Sequence, residues 1–220
     1  MKTEDLRISV AAIVLTFCCS HFSEAQTLVP DLRAIPAGKG WKGNVKAAKL
    51  VERNGTPAIE FNSKQNIVWL DGVEFKTGAI EFDVKGKSVP RASGFVGVAF
   101  RVVDHKTYDV VYFRPFNFCA TSADSRAHAV QYISHPQWTW HRLRKEKPGE
   151  FEKPIEPAPD GDAWLHVKII IRDRKVKVFV NGATKPSLVV DELSNRDAGS
   201  VGLWCNRYGI ISDLKINRGK

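Results

Sequence analysis

Phe95-Val-Gly-Val-Ala-Phe-Arg101, Tyr108-Asp-Val-Val-Tyr-Phe-Arg114 and Ala129-Val-Gln-Tyr-Ile-Ser-His135 are three apolar runs set close together, each closing on a side chain that a protein core rejects. Side chains alternate between the two faces of a strand. Arg101 then shares a face with Gly97 and Ala99, and Arg114 shares one with Tyr112. Gln131, His135, Asn117 just past the second run, and Trp138 beyond the third complete a set of polar and aromatic groups. Gathered on the outer face of adjacent strands, such groups suit a polar, ring-shaped ligand, since aromatic faces pack on C–H groups while planar polar side chains read hydroxyls.

Outward from this stretch, the chain is a series of short strands separated by turn residues. Ala48–Glu52 and Ala58–Asn62 flank Asn54-Gly55, a hairpin signal. Asn66–Leu70 reads as a further short strand. Thr77–Lys85 alternates between Ile80, Phe82, Val84 and Glu81, Asp83, Lys85, the pattern of a half-solvated antiparallel strand. Residues 134–162 hold five prolines and form the longest break, predicted as an ordered loop bordering the site. Trp164–Arg172 and Lys175–Val180 follow, the second turning at Asn181-Gly182, and Val201–Cys205 and Ile210–Ile216 close the fold. Trp204 and Asn206 share a face of the first of these closing strands, with Arg207 just beyond. No long helix, repeat or second domain is legible. Many short strands at this spacing predict an all-β fold, a two-sheet antiparallel jelly-roll sandwich.

The first 25 residues read apart from this domain. Lys2 and Arg7 precede an apolar run from Ile8 to Cys19, and Ser23-Glu24-Ala25 offers small residues for cleavage, so residues 1–25 are expected to be a secretory signal peptide. The apolar run is too short to cross a bilayer as a helix. Residues 26–40 form an irregular lead-in, and 41–220 a single β-sandwich domain, secreted or periplasmic. A net charge of +9 would suit acidic polymers, but the lysines and arginines are interleaved with acids, so they are read as solubilising charge and nucleic acid is set aside. Cys119 and Cys205 are the cysteines left after cleavage, and an oxidising compartment makes them a candidate disulfide. Neither Cys-x-x-Cys nor a helical His pair is present, so no metal site and no cofactor is expected.

The C-terminal segments Trp164-Leu-His-Val-Lys-Ile, Val176-Lys-Val-Phe-Val-Asn-Gly, Gly199-Ser-Val-Gly-Leu-Trp and Ile211-Ser-Asp-Leu-Lys-Ile resemble the closing strands of concanavalin A-like lectin/glucanase domains, and laminin-G-like jelly rolls share that ending. Tyr112-Phe-Arg-Pro-Phe-Asn, Val130-Gln-Tyr-Ile-Ser-His-Pro and Trp140-His-Arg-Leu-Arg resemble secreted bacterial members near the 3-keto-disaccharide hydrolase (family-16-like) group. The resemblance implies carbohydrate recognition on a concave sheet, with Arg101, Tyr112, Arg114, Asn117, Gln131, Trp138, Trp204, Asn206 and Arg207 as candidate binding residues.

The chemistry such a site performs is less sharply written. A retaining glucanase of the superfamily carries Glu-x-Asp-x-Glu on one strand; here the nearest string is Glu81-Phe-Asp83-Val-Lys85, whose third acid is a lysine. His135 and His141 stand near Glu146 and Glu150 in sequence, and a histidine–carboxylate pair moves protons, so His135 is the candidate acid/base. The expected function is glycan binding with hydrolysis of a keto-glycoside as its enzymatic form. A non-catalytic lectin-like or laminin-G-like interaction module is the alternative.

Overall fold

The computed structural model describes residues 27–90 and 94–219; the expected signal peptide lies outside them. In chain order the strands are β1 (Thr27–Leu28), β2 (Trp41–Gly43), β3 (Ala48–Arg53), β4 (Thr56–Leu70), β5 (Gly78–Lys85), β6 (Phe95–Val102) and β7 (Tyr108–Phe113). A one-turn helix α1 (Ala123–Arg126) precedes β8 (Val130–His135). After α2 (Trp140–Glu146) come β9 (Glu152–Lys153), β10 (Trp164–Arg172), β11 (Lys175–Val180), β12 (Leu188–Asp191) and β13 (Ser200–Arg218). The expected all-β antiparallel sandwich is the observed fold. The lead-in is more ordered than expected: Asp31 caps a 3-10 helix, Leu32–Ala37, which buries Leu32 and Ile35.

Two long strands hold the sandwich together. β4 and β13 pair antiparallel from Gly202–Trp69 down to Ser212–Ala58. The first part of β13 pairs with β6 on its other edge, and the part from Ile210 onward pairs with β5. One layer therefore runs β3–β4–β13–β5–β10–β11–β12, and the other runs β2–β4–β13–β6–β7–β8–β9. The sequence predicts each long strand as two short ones, because polar residues interrupt the apolar pattern at Asn62–Gln65 and at Asn206–Gly209. In β13 that interruption is a register slip between Cys205 and Arg207, with Arg207 at φ +80°. A bulge bends a strand and re-aims its side chains, so the polar interruption is where β13 passes from one layer to the other.

The core lies between the layers. Ile80 and Phe82 of β5, Val167, Ile169 and Ile171 of β10, and Ile59 and Phe61 of β4 face Val96, Val98 and Phe100 of β6, Val111 and Phe113 of β7, and Leu203 of β13, all fully buried. Each such side chain contributes about 1.5–3 kcal/mol on leaving water. In the second layer the other face is also largely covered: every residue of β7 is buried. The segment 137–162 accounts for part of this cover, with α2 burying Leu143, and with Arg144 and Glu152 beside Arg114. It is an ordered wall, as the aromatic content of that stretch predicts.

Candidate functional site

Cross-strand register places one row of side chains across five strands of the second layer. Gln131 of β8 lies opposite Tyr112 of β7, Tyr112 opposite Gly97 of β6, Gly97 opposite Trp204 of β13, and Trp204 opposite Ile67 of β4. Directly opposed residues share a face. Gly97 has no side chain to separate its neighbours, and the Tyr112 and Trp204 rings meet across it with centroids 5.0 Å apart. A Cβ at Gly97 would fall 2.1 Å from Val111 O, so the strands approach too closely there for even an alanine.

The row extends in both directions. Toward one end, Phe95 packs edge-on to Tyr112 at 5.7 Å and Phe116 lies 5.8 Å from Phe95. Toward the other, Trp204 Nε1 donates to Tyr108 Oη at 3.2 Å, and the Tyr108 ring lies 4.9 Å from the His135 ring. Two grooves flank these rings. A groove of about 670 Å³ is lined by Asn44, Asn66, Ile67, Trp69, Tyr108, Trp204 and His135, with His105, Lys106 and Pro136 at its edge. A second, of about 460 Å³, is lined by Lys64, Pro90, Gly94, Phe95, Phe116, Trp140, Asn206 and Arg207. The β13 bulge is what delivers Asn206 and Arg207 to the latter.

Polar groups in the larger groove are held in place. Asn66 is fully buried and accepts from Asn44 Nδ2 at 3.2 Å and from Ser63 Oγ at 3.0 Å, while its own Nδ2 donates to Ser63 O. Gly43 has φ +93°, and a side chain there would strike the Trp69 ring and Ile67 O; glycine lets that ring lie against the backbone. Burial pushes the His135 imidazole below its ordinary pKa, which favours the neutral ring. The Tyr108 phenol is pushed up by the same cause.

Beneath the row sits a buried polar network. Arg114 Nη2 donates to Tyr112 Oη at 2.9 Å and also to Gln131 Oε1, and Tyr112 Oη donates to Gln131 Oε1 at 2.7 Å. Arg114 Nη1 donates to His128 O at 2.8 Å, which Asn117 Nδ2 also approaches at 3.4 Å. The buried Glu152 carboxylate lies 3.5 Å from Arg114 and pairs with Arg144 at 3.0 Å. His128 Nδ1 is 2.9 Å from Glu152 Oε1 without hydrogen-bond alignment. Burial holds the Tyr112 phenol up at about 12, so it stays a donor at any ordinary pH.

The expected site residues thus divide. Tyr112, Trp204 and His135 share one face, and His135 and Trp204 line the larger groove. Asn206 and Arg207 line the smaller one. Trp138 sits beneath the Arg142 guanidinium at 4.2 Å and borders a separate hollow with His135 and Arg196. Tyr112, Arg114, Asn117 and Gln131 are all buried, and the expectation that they read a ligand directly is corrected: they bond to one another and to His128 O within the covered part of the sheet. Arg101 departs from the face that its parity assigns. It has φ +50°, the β6–β13 register slips beside it, and its guanidinium is buried in a two-point ion pair with Glu192. The expected histidine–carboxylate pair is also absent among the described residues: Glu146 pairs with Arg142 and Glu150 with Lys147. Cys119 is exposed, Cys205 is buried, and both are free thiols, so the candidate disulfide is not formed.

Sequence reasoning missed Tyr108, Asn44, Asn66, Ile67 and Trp69. Tyr108 carried a signal, having the same parity as Tyr112, whereas Trp69 reads as packing from sequence and is only half-buried at the groove. Among the described residues no group of three His, Cys, Asp or Glu side chains converges to hold a metal ion. No Asp or Glu among the described residues lines either groove.

The chain matches no family model and no curated protein. Solved structures do share its fold. The carbohydrate binding module CBM66 from Bacillus subtilis superposes with a TM-score of 0.54 at 13% identity, over 80% of this chain and 95% of that one. The exoplasmic/lumenal domain of VIP36, in a Ca2+/Man3GlcNAc-bound form, gives 0.57 at 9% identity, over 88% and 89% of the two chains. A Bacillus subtilis protein of unknown function with a galectin-like fold gives 0.52 at 14%, over 82% and 90%. The chain has the jelly-roll sandwich fold that these lectin-like and carbohydrate-binding domains share.

Proposed function

We propose that the protein is a secreted or periplasmic glycan-binding module that lays sugar rings along the Tyr108–Trp204–Trp69 side of the groove face. The observation that carries this is the pair of grooves on one sheet face, one lined by Trp69, Tyr108 and Trp204 and the other by Phe95, Phe116 and Trp140. Rings fixed by packing offer flat apolar faces at little entropic cost, and the exposed Asn44 amide, held by the buried Asn66, is available to hydroxyls. That CBM66 and VIP36 share the fold supports the reading, although fold alone does not carry function. The carboxylate-free lining favours holding over cleaving, because glycosidases generally need two acids within about 10 Å of each other. Affinity electrophoresis against a panel of polysaccharides tests it. Trp69→Ala should weaken retention about tenfold, the loss of roughly 1.4 kcal/mol expected of one stacking ring, with the thermal midpoint little changed. Unchanged retention in Trp69→Ala would refute the site.

One observation favours a second reading, in which the same face also cleaves its ligand. His135 lines the groove as a neutral imidazole, and a neutral imidazole is a competent base. An enolisable keto-glycoside would need such a base rather than two carboxylates, in keeping with the resemblance to 3-keto-disaccharide hydrolases. Reducing-sugar release from 3-keto-glycosides, abolished in His135→Ala, is the expected result; no release by the wild type leaves binding alone.

A further inference from the structure

The two grooves share an electrostatic character that glycan binding as such does not require. Lys106 and His105 stand at the edge of the larger groove, and Lys64 and Arg207 line the smaller, all four exposed. Among the described residues the side chains of Lys64, Lys106 and Arg207 form no ion pair, the nearby Asp104 carboxylate being taken by the backbone N–H groups of Lys106 and Thr107, whereas many other cations on the surface do: Lys42 pairs with Asp71, Lys168 with Glu81, and Lys175 with Asp191. Between these cations run Phe95, Tyr112, Trp204 and Tyr108, the last three buried, so the ring faces open to a ligand are Phe95 at the smaller groove and the half-buried Trp69 in the larger.

A cation left unpaired in a carboxylate-free groove is poised for a ligand's negative charge, and low-dielectric walls focus its field. We infer that the face binds a linear uronate-containing polysaccharide, with sugar rings against Phe95 and Trp69 and its carboxylates at Arg207 and Lys64 in the smaller groove and at Lys106 in the larger. This rests on the proposed glycan-binding role of the face and names the ligand class for it. Three chemical facts select uronate over sulfated chains. A uronate carries a single planar carboxylate that the fork of Arg207 accepts in a bidentate pair. That carboxylate replaces a ring substituent and leaves the sugar's C–H face flat for stacking. The few cations along the row match one charge per ring rather than the several of a sulfated chain.

The experiment is affinity electrophoresis and titration calorimetry of the whole protein against polygalacturonate and alginate, a neutral β-glucan, and a sulfated galactan, at low and high salt. Uronate binding should exceed neutral binding, and weaken about tenfold between 0.05 and 0.5 M NaCl as screening shortens the reach of each charge. Arg207→Ala and Lys64→Ala should each reduce uronate affinity several-fold. Lys185→Ala removes the same charge from the exposed turn between β11 and β12 and should leave affinity unchanged. Equal binding of neutral and uronate chains, with loss in Trp69→Ala only, would overturn the inference while keeping the glycan site. Preference for the sulfated galactan would overturn the carboxylate assignment. Uronate binding lost equally in Lys185→Ala would mark mere net-charge attraction and overturn it too. No binding to any chain would sink both readings.

Discussion

Arg114→Ala separates a residue that touches ligand from one that holds the site together. The side chain is buried and satisfies Tyr112 Oη, Gln131 Oε1 and His128 O at once, beside the Glu152 carboxylate. Burial and the neighbouring Arg144 lower the Arg114 pKa, and Tyr112 and Glu152 oppose them, so the charge is retained through its partners. Truncation removes the donor to Tyr112 Oη, one of the two donors to Gln131 Oε1 and to His128 O, and the cation beside the buried Glu152 carboxylate. Removing one member of a buried ionic network costs about 3–5 kcal/mol. The lower end applies, because Arg144 still pairs with Glu152 at 3.0 Å. At about 2–4 °C per kcal/mol for a domain of this size, a loss of about 3 kcal/mol lowers the thermal midpoint by about 6–12 °C. Circular dichroism melts with chemical denaturation in parallel are the assay. Arg114→Lys should recover only part of the loss, since an ammonium cannot reach Tyr112, Gln131 and His128 together. A midpoint within about 1 °C of wild type, with glycan binding lost, would show that Arg114 meets the ligand directly and that the positioning role is wrong.

Other consequences are simpler to read out. His135 has its folded pKa lowered from 6.5 by burial, so its contribution to stability is complete above that value. As pH falls, the unfolded chain takes up a proton first, and that stability is lost until the folded pKa is passed; His135→Gln should flatten this part of a melting-temperature profile, and an unchanged slope would exclude the burial account. Of Cys119 and Cys205, native protein should show only Cys119 to a thiol reagent, because Cys205 is buried and its thiol is pushed well above its usual range. Rapid labelling of both would contradict the packing of β13. Gly97→Ala should lower stability by about 1–3 kcal/mol, typical of overpacking, because the new Cβ meets Val111 O at 2.1 Å; a neutral melt would mean that β6 and β7 separate freely.

Much of the fold was legible in the residues themselves. Alternation in Thr77–Lys85 and Trp164–Arg172, with Asn54-Gly55 and Asn181-Gly182 as turns, is a local property, since strand period and turn conformation depend on near neighbours. Asn54 and Asn181 do adopt positive φ. The continuity of β4 and β13 was not legible. A polar interruption reads as a strand end, and only pairing with partners far along the chain makes it a bend within one strand.

The site divides along the same line. The sequence by itself determined an antiparallel sandwich and placed Tyr112 and Arg114 on one strand face, because parity is fixed by backbone geometry; the register that sets Gln131 opposite Tyr112 came from the structure. Parity gives the side of the sheet and says nothing of depth. Only the tertiary structure decided that segment 137–162 covers Arg114 and Gln131, that a positive φ turns Arg101 away to Glu192, and that Trp69, Asn44 and Asn66 stand beside Trp204. Burial and cross-strand neighbours are set by segments distant along the chain, from Arg114 and Glu152 to Trp69 and Trp204, and no local pattern encodes them.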